Sequence, residues 1–307
     1  MHLYKQPSRS IASYGFFSDI HSAAEKLELC LELVGDVDHN ICCGDLLGYG
    51  SNGANETINL VANNIGIENC VIGDGDEELL KTVPIEDMTS EMFELMYDHH
   101  EILKKENPLE AKCYEERNEG NFARYLAISE MKKHLTENNS KFIEKLEDRY
   151  VGQFTLGNIQ FVYAHSDYYK LNGNNRKLNG FSRKTDAPLR LEKTFYVMGK
   201  NKHKCLILGH SHIPFIASMD ANGEISLRYV YVNSNGNGKE IILDDPDDPT
   251  LHVLGLGSVF GIKYPNMRKR RRKNEPFFDT SKMSFGKMDY YGNNAVFELF
   301  VKSVNGN

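Results

Sequence analysis

Short apolar runs alternate along this chain with amphipathic stretches of helix length. Residues 11–17 read as a first strand. Ala23, Leu27, Cys30, Leu31 and Val34 then recur at helical spacing behind Ser22, which is suited to cap that helix. Residues 41–43 give a second strand, Asn55 can cap a helix through Ile58, Leu60, Val61 and Ile65, and residues 69–72 give a third strand. Three strands joined by two helices predict a βαβαβ unit with a parallel sheet.

Between residues 86 and 150 the pattern turns charged and helical, with apolar positions such as Met92, Leu95, Met96, Phe122, Tyr125, Leu126, Ile128 and Met131. We expect a helical insertion there, its last helix near 140–146. Strands resume at 158–164 and 204–208. Residues 213–219, 227–232, 251–256 and 295–301 read as strands of a second sheet half, with an Asn222-Gly223 hairpin turn and polar insertions at 233–248 and 263–289. A single domain over residues 1–307 is the expected organisation.

Composition narrows this picture. A chain of 307 residues with 40% hydrophobic content can bury one large core. Its net charge of -7 gives no general attraction to nucleic acid. Any such contact is local, and the run Arg268, Lys269, Arg270, Arg271, Arg272 and Lys273 is the place for a nucleotide or nucleic acid, or else is a solvated loop. No apolar run approaches the about 20 residues of a membrane-crossing helix, and the start of the chain has no apolar signal segment. A cytoplasmic protein without a membrane span is expected. The six cysteines lack CxxC spacing and read as buried, reduced thiols.

The chemistry lies where apolar runs end. Asp19 and His21 follow the first run, Gly44-Asp45 the second, Gly73-Asp74-Gly75-Asp76 the third, His165 a later one, and Gly209-His210-Ser211-His212 another. Taken singly, each is an ordinary capping Asp or surface His. Together they place ligands at the carboxyl ends of neighbouring strands, where an α/β sheet makes them converge. Asp and His suit divalent first-row metals, and a shared carboxylate suits two of them. His210 and His212 follow Gly209 directly after an apolar run, so a loop with ligands to adjacent ions is expected.

These motifs resemble the calcineurin-like metallophosphoesterase family, whose order is Asp-x-His, Gly-Asp, Gly-Asn-His-Asp/Glu, a lone His and Gly-His-x-His. Gly48-Tyr49-Gly50, the Asn55-Glu56 pair and Gly257-Ser258-Val259 are similar to a bacterial subgroup of small phosphoesterases and phosphodiesterases. Leu46-Leu47-Gly48-Tyr49 stands where protein Ser/Thr phosphatases carry Val-Asp-Arg-Gly, so a protein phosphatase is not expected. The resemblance implies an α/β fold, a four-layer αββα sandwich of two mixed sheets with a helical insertion. It also implies that Asp19, His21, Asp45 and His212 hold one divalent ion and that Asp45, Asp74, His165 and His210 hold a second. Manganese is the first choice, with iron, zinc, nickel or magnesium as alternatives. Asp45 would bridge, and the ions would supply hydroxide to a phosphate ester substrate. Asp45, Asp74 and Asp76 are the candidate catalytic carboxylates.

The third motif departs from the family. Asp74 replaces the usual Asn ligand, and Gly75 replaces the His regarded as general acid, a role commonly worth about 10²- to 10⁴-fold. His99 and His100 are conceivable replacement acids, although a solvated helical face is the simpler reading. Two functions follow: a dinuclear metal-dependent phosphohydrolase favouring phosphodiesters or other esters with good leaving groups, or a degenerate member of the fold acting as a scaffold or binding protein.

Overall fold

A computed structural model of the chain describes residues 10–48, 53–82, 125, 127–171, 174–178, 187–230, 239–243, 249–261, 280–292 and 294–304. In chain order the elements are β1 (Ala12–Phe17), α1 (Ala24–Val34), β2 (His39–Cys42), α2 (Ala54–Asn64), a 3₁₀ turn (Ile67–Asn69) and α3 (Asp74–Lys81). Next come α4 (Glu137–Glu144), β3 (Val151–Leu156), β4 (Ile159–Ala164), β5 (Asp167–Leu171), β6 (Asn174–Leu178) and α5 (Ala187–Asn201). The chain continues with β7 (Cys205–Leu208), β8 (Pro214–Met219), β9 (Ile225–Tyr229), β10 (Lys239–Leu243), β11 (Leu251–Leu256), β12 (Lys282–Tyr290) and β13 (Ala295–Ser303). Residues 127–134 are also helical.

Two mixed sheets stack face to face. One runs β10-β13-β12-β1-β2, the other β3-β4-β7-β11-β8-β9. β1 and β2 are parallel in the first; β4, β7 and β11 are parallel in the second. Alternate residues of each strand explain the layers. Phe16, Phe161, Ile207, Leu254 and Phe297 point into the core between the sheets. Phe17, Cys42 and Phe285 face outward beneath Leu27 and Cys30 of α1, Ile58 and Val61 of α2, Leu79 of α3 and Ile143 of α4. On the far side, Val162, Leu206, Ala217 and Val253 lie beneath Leu191, Phe195 and Met198 of α5. The result is the four-layer αββα sandwich, whose central strands are apolar on both faces because both faces are covered.

Several local expectations are corrected. Ser22 is not a cap: it has φ +64 and donates its N–H to Leu46 O, and α1 starts after Ala23 without a side-chain cap. Asn55 lies inside α2, which opens after Gly53 at φ +83; its side chain instead ties α2 to His134 O, Thr136 N and Asn139. Residues 69–72 form only an isolated parallel bridge, Cys42 to Cys70. Arg149 substitutes for the missing neighbour, donating to Cys70 O and Glu68 O while its own carbonyl accepts Ile72 N–H.

β12 and β10 occupy stretches expected to be polar insertions, and β13 pairs with β12 in the β1 sheet rather than in the second. β5 and β6, which pair with each other, α5, and β3, which forms a hairpin with β4, had not been foreseen. Residues 1–9, Tyr49, Gly50, His99, His100, most of the expected 86–150 insertion and the basic run lie outside the described residues. Cys30, Cys42, Cys43, Cys70 and Cys205 are buried free thiols. No helix among the described residues is long and apolar enough to cross a membrane.

Phe16 is fully buried between the sheets, whereas Tyr196 is 71% exposed. Phe16→Ala should cost about 3–5 kcal/mol in urea unfolding, and Tyr196→Ala no more than about 0.5 kcal/mol. Equal losses would contradict the layer assignment.

Candidate metal centre

The parallel pairs β1/β2 and β4/β7 lie in opposite sheets, and the loops leaving their carboxyl ends meet. Asp19 and His21 leave β1, Asp45 leaves β2, Asp74 opens α3, His165 leaves β4, and His210 and His212 leave β7. Backbone bonds zip the first two loops together: Asp19 N–H donates to Gly44 O, Ile20 and His21 N–H to Asp45 O, and Ser22 N–H to Leu46 O. The bends this requires put Asp19, His21, Asp45, His210 and His212 at φ between +48 and +62. That left-handed conformation costs roughly 1–2 kcal/mol per non-glycine residue and is found where surrounding structure enforces it. His210 and His212 thus sit on a tight loop, as expected.

The ligand atoms fall into three overlapping groups, each spanning no more than 4.8 Å: Asp19, His21 and His212; Asp19, Asp45 and His165; Asp74, His165 and His210. His212 Nε2 is 3.2 Å from Asp19 Oδ1 and 3.1 Å from His21 Nε2. Asp45 Oδ2 is 3.2 Å from His165 Nε2 and 3.6 Å from His21 Nε2, while His210 Nδ1 is 3.2 Å from Asp74 Oδ2. Ligand atoms about 2.1 Å from a first-row ion stand roughly 3.0–3.5 Å apart around it, so these spacings fit. Asp19 Oδ1 and His165 Nε2 are buried with no hydrogen-bond partner among the described residues, a cost that a cation would remove.

No protein-family model matches the chain, nor does any curated protein sequence. Solved structures do. A metallophosphoesterase from Sphaerobacter thermophilus is similar over 95% of this chain and 89% of its own, at 15% identity and TM-score 0.54. A hypothetical protein from Pyrococcus horikoshii is similar over 93% and 87%, at 13% identity and TM-score 0.47. The fold is that of the metallophosphoesterases.

Neighbouring groups orient these ligands. His165 donates from Nδ1 to Cys43 O at 2.9 Å and His212 from Nδ1 to Gly261 O at 3.3 Å, which leaves each Nε2 facing the cluster. Asp19 Oδ2 accepts from Ser18 Oγ and His210 N–H, and Asp45 Oδ1 accepts from Gly75 N–H at 2.7 Å; each Asp keeps its other oxygen for the cluster. Ser258 Oγ donates to Asp19 O, and Phe260 lies edge-on to His21. Of these supports only the Gly257-Ser258-Val259 motif was visible in the sequence. Asp76 is not among the grouped ligands. It is fully buried, with Oδ2 accepting from Leu46 and Gly73 N–H and Oδ1 from Leu47 N–H.

Crowded carboxylates and imidazoles pull one another in opposite directions. Burial, reinforced by Asp45, pushes Asp19 up to about 7 against the pull of His165. Burial and the Asp45 charge likewise raise Asp76 to about 6 against its three backbone donors. Burial also works against Asp45, but His165 and His21 outweigh it and hold that carboxyl well below its usual range. For His165, burial is outweighed by Asp45, Asp19 and Asp74, which raise it well above the ordinary imidazole value.

Without an ion, His165 therefore carries a proton at pH 7, and ligation must expel it. Mn²⁺ binding should release protons, with affinity rising between pH 6 and 8. Calorimetry in two buffers of different ionisation enthalpy checks this: the observed enthalpy should differ between them, and equal enthalpies would contradict it.

Proposed function

We propose that the chain is a dinuclear metal-dependent phosphohydrolase acting on phosphodiesters or other phosphate esters with good leaving groups. The observation carrying this reading is the overlap of the three ligand groups, in which the Asp19, Asp45 and His165 group joins the other two. It supports two ion positions with Asp45 between them. Asp19, His21, Asp45 and His212 would hold one ion, and Asp45, Asp74, His165 and His210 the other, manganese being the first choice. Bound ions would supply a nucleophile at neutral pH and positive charge for the phosphoryl oxygens.

The protein's own part is to hold the ligands and admit the ester. A small cavity beside Asp74 and His165 shares Ile72, Glu77 and Tyr150 with a cavity of about 260 Å³ that reaches Leu79, Leu80, Lys132 and Glu144. That volume is room for the organic group of a small ester. Position 75 supplies no proton. A Cβ there would stand 2.5 Å from Leu47 O, so a side chain would displace the Asp45 loop.

Hydrolysis of an activated aryl phosphodiester should appear as Mn²⁺ is added to metal-free protein, and Asp45→Asn should lose it by at least about 10²-fold. Metal binding without turnover would favour the scaffold alternative. Over a matched ester series the rate should fall steeply as leaving-group pKa rises; a flat dependence would contradict the role assigned to Gly75.

A nucleotide or nucleic acid is the further partner proposed, through Arg268, Lys269, Arg270, Arg271, Arg272 and Lys273. The support is where the flanks of this run are held. Lys26 Nζ donates to both Phe260 O and Thr280 O, and Phe260 abuts His21. Replacing Arg270, Arg271 and Arg272 with Gln should weaken single-stranded oligonucleotide binding and flatten its salt dependence, while aryl ester hydrolysis persists. Unchanged binding and salt slope would remove this partner.

A further inference from the structure

We propose that Asp76 is a positioning residue, a buried carboxylate that clasps the Asp45 loop to the Asp74 loop and so sets the spacing at which those two ligands are presented. The inference rests on the metal centre proposed above. It gives Asp76 a task distinct from ligation and from contact with substrate.

Three donors converge on this carboxylate from two loops. Gly73 N–H at 3.0 Å belongs to the start of its own helix, where Asp76 reaches back to the backbone of the residue before α3. Leu46 and Leu47 N–H, at 3.2 and 3.0 Å, come from about thirty residues away, immediately after Asp45. The bond pattern is reciprocal, because Asp45 Oδ1 accepts Gly75 N–H at 2.7 Å. Each loop therefore contributes a carboxylate to the other's backbone.

Sterics make the clasp tight. A Cβ at position 73 would lie 2.0 Å from Asp45 N, and one at position 75 would lie 2.5 Å from Leu47 O. Two glycines thus let the loops touch through their backbones, and Asp76 occupies the resulting row of N–H groups. Since Asp45 Oδ1 is bound to the Asp74 loop, displacing that loop also turns Asp45 Oδ2, the oxygen 3.2 Å from His165. Groups that orient metal ligands typically contribute 10- to 100-fold to affinity.

The test compares the full-length wild type with Asp76→Asn, which keeps shape but replaces one acceptor oxygen with a donor that opposes the backbone N–H groups. Val197→Ala serves as a stability control, since Val197 lies on the buried face of α5, on the far side of the second sheet. Mn²⁺ affinity is read by calorimetry, and the ion–ion interaction by the Mn²⁺ electron paramagnetic resonance spectrum. Asp76→Asn should bind Mn²⁺ 10- to 100-fold more weakly and show an altered two-ion spectrum, whereas Val197→Ala keeps wild-type affinity and spectrum. Wild-type affinity and spectrum in Asp76→Asn, or the same losses in Val197→Ala, would overturn the proposal.

If Asp76→Asn does not fold, amide exchange in the wild type decides. The Leu46, Leu47 and Gly73 amides should be equally protected with and without Mn²⁺, because the clasp precedes the ion. Protection acquired only with Mn²⁺ would overturn the proposal. Failure of the wild type to bind Mn²⁺ would sink the proposed function, while the exchange measurement on metal-free protein would still read the clasp.

Discussion

The metal-facing edge of this molecule depends on one residue, Asp45, whose backbone and side chain are engaged in three directions. Its carbonyl oxygen accepts the N–H groups of Ile20 and His21, drawing the β1 loop onto the β2 loop. Its Oδ1 accepts Gly75 N–H from the α3 loop, and its Oδ2 faces His165 from the opposite sheet. Four of the five ligand-bearing loops are thereby referred to a single position. The His210–His212 loop joins through Asp19, whose Oδ2 accepts His210 N–H.

Such an arrangement is costly in isolation. Asp19, Asp45 and Asp76 are buried together with His21, His165 and His212, on loops several of whose residues are bent into left-handed conformations. Protons are the metal-free remedy: Asp45, Asp19 and Asp74 together keep His165 charged, and Asp19 is raised to about 7. Divalent ions are the other remedy, because they neutralise the carboxylates and take the imidazole lone pairs in one step. Strain in the loops is then the means by which ligands from two sheets are presented together.

Much of the layered fold was legible because strand and helix periods are plain from β1 through α2 and again in β4, β7, β8 and β11. The convergence of these Asp and His side chains was legible for a related reason: capping and surface exposure do not require Asp or His to recur at the ends of five separate apolar runs. β12 was not legible. Only Met283, Phe285, Met288 and Tyr290 carry its pattern; Ser284 and Gly286 face the inter-sheet core, and Gly286 yields its space to Phe297. The 69–72 stretch misled for the opposite reason, since its strand-like residues are held by Arg149 and a single bridge rather than by a ladder. Ser22 looked like a cap because sequence cannot show that the metal loop claims its backbone first. Asp76 gave no sign of its backbone donors, two of which lie about thirty residues earlier.

A paired site with Asp45 in its middle is tested most directly by anomalous diffraction from crystals of the Mn²⁺-loaded protein. Two peaks are predicted, one beside Asp19, His21 and His212 and the other beside Asp74, His165 and His210, with Asp45 between them. A single peak, or manganese bound away from these residues, would contradict it.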